Sequence, residues 1–171
     1  ARATHPVLIT GDRESTSDDY DPDGVVARYN RPLPPAPADA AMLPFDVDSL
    51  AGLRRFVVTG AALHGLAEAQ RDDLELMVDE LATNAVRHGA GTGAVHMWAE
   101  GDRVWCQVHA GGRIGDPLAG REPVRVDADR GRGLLVVNHL ADLVRVYTGT
   151  DVTTVRMCLT VRLDEQCVGQ I

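Results

Sequence analysis

Glu80 and Asn84 lie four residues apart in a stretch with helical periodicity, and two glycines, Gly131 and Gly133, follow later in the chain. Residues four apart stack on one face of a helix. On such a face the Glu80 carboxylate could accept a proton from a hydroxyl, and the Asn84 amide oxygen could bind Mg²⁺, which prefers oxygen ligands. Glycine amides at a helix start suit phosphate oxygens. The two stretches together predict a site for a magnesium nucleotide.

The residues around Asn84 bear on this interpretation. Arg87 or His88, about one turn later, could approach a phosphate. Thr83 and Asn84 are poor helix formers in a helix interior, which favours a role other than helix propensity. For Glu80 and Asn84 alone a solvated polar face is the alternative, and for the glycines it is a loose loop-to-helix junction. The combination of the two stretches favours the ligand site.

The elements that position these side chains follow from periodicity and turn residues. Asp48 or Ser49 could cap a helix that ends near Leu63. A second helix is predicted over 67–87, with an apolar face of Leu74, Met77, Val78, Leu81, Ala82 and Ala85. The other predicted elements are a strand over 43–45, strands over 94–99 and 103–109, a loop over 110–130, a helix over 131–143 and strands over 143–148 and 152–162. Helices segregated from a mostly antiparallel sheet predict an α+β fold, a two-layer sandwich.

Composition narrows the classes of function. The net charge of −8 argues against a nucleic-acid surface and against an anionic-membrane surface. The sequence has no run of eighteen apolar residues and no charged-then-apolar leader. Cys106, Cys158 and Cys167 form no CxxC pair, and we expect them to be reduced, buried thiols of a cytoplasmic protein. Because the chain starts with Ala1, we also expect it to be a fragment of a longer protein.

Residues 1–40 differ in composition from the rest. Residues 7–10 could form one strand, an acidic run over 17–23 follows, and residues 31–37 are rich in proline. Such sequence favours extended, weakly packed conformations. We therefore expect residues 1–40 to be a linker that carries the remnant of an upstream module, and residues 41–171 to be the globular domain.

Residues 42–163 resemble the ATP-binding domain of the GHKL superfamily and, within it, the anti-sigma-factor protein kinases of bacteria. The resemblance is carried by the order of the elements and by the stretches Asp79-Glu80-Leu-Ala-Thr-Asn84-Ala-Val-Arg-His88-Gly and Gly131-Arg-Gly133-Leu-Leu-Val-Val-Asn138. It implies a histidine kinase-like ATPase fold. Residues 1–40 are similar to the end of a sensory domain of the MEDS type, which precedes such kinases in some actinobacterial proteins.

The resemblance also implies roles for single residues. Glu80 would be the general base that activates a serine or threonine hydroxyl of a partner, and Asn84 would be the Mg²⁺ ligand. Thr154 would lie near the adenine, and residues 112–130 would form a lid over the ATP. The phosphates would lie against Gly131, Arg132, Gly133 and Leu134. Members of the family phosphorylate an antagonist of the STAS type, otherwise hold a sigma factor inactive, and usually form homodimers.

One position departs from the family pattern. Ala110 stands where the family has an aspartate that accepts from the adenine amino group, whereas Gly112, two residues later, matches. A hydrogen bond to a charged group contributes roughly 1.5–3 kcal/mol, so its absence would weaken ATP binding by about ten- to a hundredfold. His109 should point to the opposite strand face and Asp116 belongs to the lid, so neither is expected to replace the missing acceptor.

Three functions follow from these observations. The first is an ATP-dependent serine/threonine protein kinase that switches an anti-sigma function, supported by Glu80, Asn84 and the glycine stretch. The second is a degenerate relative that binds a sigma factor or antagonist without catalysis, supported by Ala110. The third, a sensor histidine kinase, needs a phospho-accepting histidine in a helical hairpin upstream, and residues 1–40 offer only His5. The first function is favoured.

Overall fold

The computed structural model describes residue 3, residues 5–114, residue 120 and residues 132–162, with the backbone alone at residue 132. Within these residues the elements follow in the order β1 (Val7–Thr10), β2 (Arg13–Thr16), α1 (Pro22–Tyr29), β3 (Ala41–Phe45), α2 (Leu50–Leu63), α3 (Glu68–His88), β4 (Gly93–Glu100), β5 (Arg103–Gly111), α4 (Arg132–Leu140), β6 (Leu143–Thr148) and β7 (Val152–Thr160). From β3 onward these are the predicted elements, with ends that differ by a few residues.

Five of the strands form one sheet in the order β3-β4-β5-β7-β6, and every neighbouring pair is antiparallel. Helices α2, α3 and α4 pack on one face of this sheet, so the predicted two-layer α+β sandwich is confirmed. The face of the sheet away from these helices is called the outer face. It is defined by the alternate residues His96, Trp98, Trp105, Gln107, His109, Thr154 and Arg156.

The core lies between α3 and the sheet. All six apolar residues predicted for the inner face of α3 are buried, and Met77 and Ala82 are fully so. Cys106 on β5 belongs to this core, and its burial raises the pKa of the thiol to about 12, so it stays protonated at neutral pH. Cys106 and Cys158 are free thiols, as predicted, and Cys167 lies outside the described residues.

The start of α2 is held by a residue that sequence reasoning did not select. Ser49 occupies the N-cap position, yet its side chain does not bond to the helix, and Asp48 does not cap it either. Instead the Asp46 carboxylate accepts hydrogen bonds from the backbone N–H of Asp48 and from the N–H and hydroxyl of Ser49. The Ser49 hydroxyl is the main reason that the pKa of Asp46 is lowered.

The chain before β3 is more ordered than its composition suggested. Strands β1 and β2 form a two-stranded hairpin with Val7 opposite Thr16, where only one strand was expected. Helix α1 was not predicted at all, although Asp21 caps it by accepting from the Gly24 N–H at 2.9 Å and Pro22 opens it. Both are recognised start signals, since proline at the first helical position loses no hydrogen bond. In the part of the chain that the structure describes, no helix is both long and apolar enough to cross a membrane.

Asp142 connects the start of β6 to the end of β7. Its carboxylate accepts from the Thr160 N–H at 2.6 Å and from the Arg162 guanidinium at 3.1 Å. Its own N–H donates to the Cys158 carbonyl at 3.0 Å. The bond from the Thr160 backbone is the largest cause of the lowered pKa of Asp142.

Asp142→Ala should lower the free energy of unfolding at pH 7 by about 1–2 kcal/mol, because both accepted bonds are lost. The carboxyl pKa is lower in the folded than in the unfolded chain, so its stabilisation is present above the ordinary pKa of about 4 and is lost as the pH falls through the lowered value. Urea denaturation from pH 7 to pH 3 should therefore show the difference from wild type shrinking. Asp39→Ala, at an exposed carboxylate, is the control, and a difference that stays constant with pH would contradict this role.

Candidate functional site

Because the apolar side of α3 is buried in the core, its residues Glu80 and Asn84 face α4. Glu80 is half-buried and Asn84 is exposed. A Cβ built on Gly133 would lie 2.5 Å from Asn84 Nδ2 and 3.2 Å from Glu80 Oε2, so a side chain there would collide with the amide. Glycine at this position therefore lets the first turn of α4 lie directly against both side chains. The structure brings these three predicted site residues together.

Helix α4 presents its first turn to this cluster because its inner side is anchored in the core. Val137 is fully buried and Leu134 nearly so. The first N–H groups of a helix have no partner within it and carry a partial positive charge, which favours an anion nearby. Gly131 lies outside the described residues, and at Arg132 the backbone begins the helix. The Asn138 amide donates to the carbonyls of Leu134 at 2.9 Å and Gly120 at 3.1 Å.

Two basic side chains lie in the last turn of α3. Arg87 and His88 are both exposed in the last turn, where positive charge is favourable at the carboxyl end of a helix. His88 is four residues beyond Asn84 and lies on the same side of the helix. Their placement is compatible with the predicted contact to a phosphate. The negative end of the helix dipole would by itself also favour basic residues at these positions.

Where β5 ends, its backbone meets the end of α3. Gly112 has φ of +107°, and a Cβ there would lie 2.9 Å from the Gly89 Cα, so glycine is required by both conformation and space. The Ala90 N–H donates to the Gly111 carbonyl at 3.3 Å. Ala110 is buried in the core on the face that α3 covers. The position that would need a carboxylate for an adenine amino group thus holds an apolar side chain among other apolar side chains.

The structure places Thr154 away from this face. Its hydroxyl is 2.9 Å from His109 Nδ1, and both residues lie on the outer face of the sheet. Thr153 is directly opposite Ala110 across β5 and β7 and therefore shares its face. The Thr153 hydroxyl donates to the Gly112 carbonyl at 2.9 Å. The resemblance implied Thr154 near the adenine, whereas the register with β5 places Thr153 on the face of Ala110.

The sequence model of the family described as "Histidine kinase-like ATPase domain" matches residues 43–159, well over half of the chain. The chain belongs to this family. The matched residues run from β3 to the end of β7 and contain every described site residue named above. Membership implies that this ATPase domain binds a nucleotide. No match was found among the curated proteins.

Solved structures with a similar fold include the RsbU and RsbW domains of Rv1364c from Mycobacterium tuberculosis. That structure aligns with 75% of this chain at 20% identity and a TM-score of 0.53, and the chain spans 35% of its length. The Acinetobacter baumannii histidine kinase AdeS aligns with 82% of this chain and 74% of its own at 12% identity and a TM-score of 0.42. The histidine kinase domain of the E. coli osmosensor EnvZ aligns with 71% of this chain and 90% of its own at 20% identity and a TM-score of 0.40. The first of these shows the fold of the ATPase domain.

The residues of the two ends of the site fit a nucleotide unequally. At the α4 end the Glu80 carboxylate and the Asn84 amide place oxygen atoms beside the first turn of α4, a combination that suits a magnesium phosphate. At the β5 end Ala110 supplies no hydrogen-bond acceptor from its side chain. The donor set therefore fits the phosphates better than the base.

Gly133→Ala should leave thermal stability unchanged or higher, because alanine forms helix better than glycine by about 1 kcal/mol. The added Cβ should displace the Asn84 amide, and we expect the affinity for ADP with Mg²⁺ to fall at least about tenfold, a change of roughly 1.4 kcal/mol. Calorimetric titration and thermal unfolding measure the two effects. Gly52→Ala in α2 is a matched control, since its Cβ would have no atom closer than the Arg55 guanidinium at 4.0 Å. Unchanged ADP affinity in Gly133→Ala would contradict a nucleotide site at the contact between Gly133 and Asn84.

Proposed function

We propose that the chain is an ATP-dependent serine/threonine protein kinase of the anti-sigma-factor type. It binds ATP with Mg²⁺ and phosphorylates a serine or threonine of an antagonist of the STAS type. The observation that supports this most is the contact of Gly133, in the first turn of α4, with Glu80 and Asn84. It joins a carboxylate, an amide and a helix start within one small region, a combination that suits phosphoryl transfer to a hydroxyl.

Each residue of the cluster has a separate task in this proposal. The half-buried Glu80 carboxylate accepts the proton of the partner's hydroxyl as that oxygen attacks, which is the work of a general base. The Asn84 amide oxygen would hold Mg²⁺, and the first N–H groups of α4 with Gly131 and Gly133 would orient phosphate oxygens. ATP, when bound, would supply its terminal phosphoryl group to the hydroxyl oxygen and leave as ADP. Arg87 would add positive charge, and His88 a ring nitrogen for hydrogen bonding, at the far end of the same helix face.

The partners follow from the same proposal. The kinase would hold a sigma factor inactive and release it according to the phosphorylation of the STAS-type antagonist, acting in the cytoplasm as a homodimer. The structural similarity to a protein with an RsbW domain supports this choice among the ATPase domains, although the chain spans 35% of that protein's length. The net charge of −8 is consistent with protein partners rather than nucleic acid or membrane.

The alternative is a binding module that keeps the fold and the partner but has lost useful catalysis. Ala110 supports it, because an apolar side chain in the core replaces the acidic partner of the adenine amino group. Such a module would sequester a sigma factor or antagonist with little or no ATP turnover. The intact cluster at Glu80 and Asn84 favours the kinase, since a chain without catalysis has no need of a base at that position.

Glu80→Gln should lower the rate of phosphate transfer to a candidate STAS-domain protein of the same organism by at least about a hundredfold, because the amide cannot take up the proton. Its affinity for ADP with Mg²⁺ should stay within about twofold of wild type, since the base acts in the chemical step. Radiolabelled ATP and calorimetry measure the two quantities. Glu75→Gln, on the same helix but outside the cluster, is the matched control. Equal losses in transfer and in binding would argue against a general base, and no transfer by wild type to any candidate would favour the binding module.

Ala110→Asp should tighten ADP binding by about tenfold or more if the missing acceptor is what weakens the adenine end. The gain should be specific to adenine, because guanine carries a carbonyl where adenine carries its amino donor. Affinities of wild type and variant for ADP and GDP, each with Mg²⁺, give the ratio directly, and thermal unfolding confirms that the variant is folded. A variant that is folded and shows no gain for ADP over GDP would contradict the assignment of position 110 to the adenine end.

A further inference from the structure

The segment before the ATPase domain is fixed to the edge of its sheet by one side chain. The Asn30 amide donates from Nδ2 to the Thr148 carbonyl at 2.7 Å and accepts at Oδ1 from the Thr148 N–H at 3.0 Å. Thr148 ends β6, which is the edge strand, so these are backbone groups that no further strand would pair. Asn30 is itself positioned by α1, because its N–H donates to the Val26 carbonyl at 2.9 Å. The side chain thus takes the place of a neighbouring strand.

The hydroxyl of the same threonine belongs to a hydrogen-bonded chain that begins and ends on the backbone beyond β5. The Ile114 N–H donates to Thr148 Oγ1 at 3.1 Å, and Thr148 Oγ1 is 3.3 Å from Thr153 Oγ1. Thr153 donates its hydroxyl proton to the Gly112 carbonyl. Since a hydroxyl has one proton, Thr148 must donate to Thr153, which fixes the direction of every bond in the chain. The two threonines therefore clamp residues 112–114.

A second contact holds the segment to the outer face. The Arg156 guanidinium donates to the Pro34 carbonyl and to Gln107 Oε1, the latter from Nε at 2.8 Å. The same guanidinium lies over the Trp98 ring, 5.1 Å from its centroid. Residues 30–34 are thus attached at both ends, and this stretch is called the strap.

We infer that the strap positions the adenine end of the site through Asn30 and Thr148. Asn30 holds the backbone of Thr148. The Thr148 hydroxyl holds Ile114 directly and Gly112 through Thr153, and these two residues lie four and two positions after Ala110. Because Asn30 fixes the backbone of Thr148, it also fixes the position of the Thr148 hydroxyl, so loss of the Asn30 bonds weakens the hold of that hydroxyl on the loop. A change in the chain before residue 30 would then alter the nucleotide site through the edge of the sheet. The effect on nucleotide affinity depends on the proposed function, whereas the effect on residues 112–114 does not.

Amide hydrogen exchange of the full chain, measured by NMR, tests the coupling. Asn30→Ala should raise the exchange rate of the Ile114 amide about three- to tenfold, the loss expected for one hydrogen bond. Thr148→Val keeps the backbone that Asn30 binds but removes the acceptor, and should raise the rate at least as much. Thr148→Ser keeps the hydroxyl and should match wild type. Arg31→Ala, at an exposed neighbour in the strap, is the matched control.

The double variant Asn30→Ala with Thr148→Val separates coupling from two independent losses. If the two residues act in series, adding Asn30→Ala to Thr148→Val should raise the Ile114 rate by less than twofold. The Val108 amide, in the buried part of β5, reports global unfolding and should exchange as in wild type. An Ile114 rate in Asn30→Ala equal to that of wild type, or a similar rise at Val108 or in Arg31→Ala, would overturn the inference.

Calorimetry with ADP and Mg²⁺ on the same variants keeps the two proposals distinguishable. We expect Asn30→Ala to weaken ADP by about the same factor as it raises Ile114 exchange. If wild type binds no ADP, the proposed function fails while the exchange pattern still decides the coupling. If wild type binds ADP and Asn30→Ala binds it equally well despite faster Ile114 exchange, the strap holds the loop without positioning the site, and the inference is wrong in that part.

Discussion

The burial of one side of α3 is the constraint on which the site depends. Leu81 and Ala85 are buried, and each directly follows a site residue, Glu80 or Asn84. Because successive helix residues are rotated by about 100°, burying the first pair fixes the direction of the second. The functional side chains are thus oriented by their neighbours' hydrophobic contacts. A slip of one residue in the packing of α3 would turn both of them away from α4.

The two ends of the site are built by different means. Around Glu80 and Asn84 the site consists of side chains, with a glycine on the opposite helix to make room for them. Where β5 ends, it consists of backbone: Gly112 lies against Gly89, and two threonine hydroxyls hold the strand's continuation. The end that would bind phosphate and metal therefore offers polar side chains. The end that would bind the base offers only a fixed backbone conformation.

Much of the fold could be predicted because its signals are local. Periodicity gave α3 and its inner face, and turn residues gave the hairpins of β4 with β5 and of β6 with β7. Helix α1 was missed because the acidic and proline-rich composition outweighed the start signals at Asp21 and Pro22. Thr154 was implied by the family resemblance alone, and only the register of β7 with β5 shows that Thr153 shares the face of Ala110.

Other contacts could not have been predicted from the sequence. The bonds between Asn30 and Thr148 join residues that lie 118 positions apart, and no sequence pattern around either residue indicates the other as its partner. The same holds for the contact of Gly89 with Gly112, since a glycine indicates that something comes close but not what. Such contacts are products of the sheet order, which places β6 at the edge and the end of β5 beside α3.

The two tryptophans on the outer face determine what fluorescence and circular dichroism of this protein can detect. The chain has two tryptophans, Trp98 and Trp105, and they are cross-strand partners whose rings stack 6.1 Å apart at 8°. The two indoles are close and nearly parallel, and the Arg156 guanidinium lies over the Trp98 ring. Intrinsic fluorescence and near-ultraviolet dichroism will therefore report chiefly on the outer face of the sheet, whereas Glu80 and Asn84 lie on the helix side.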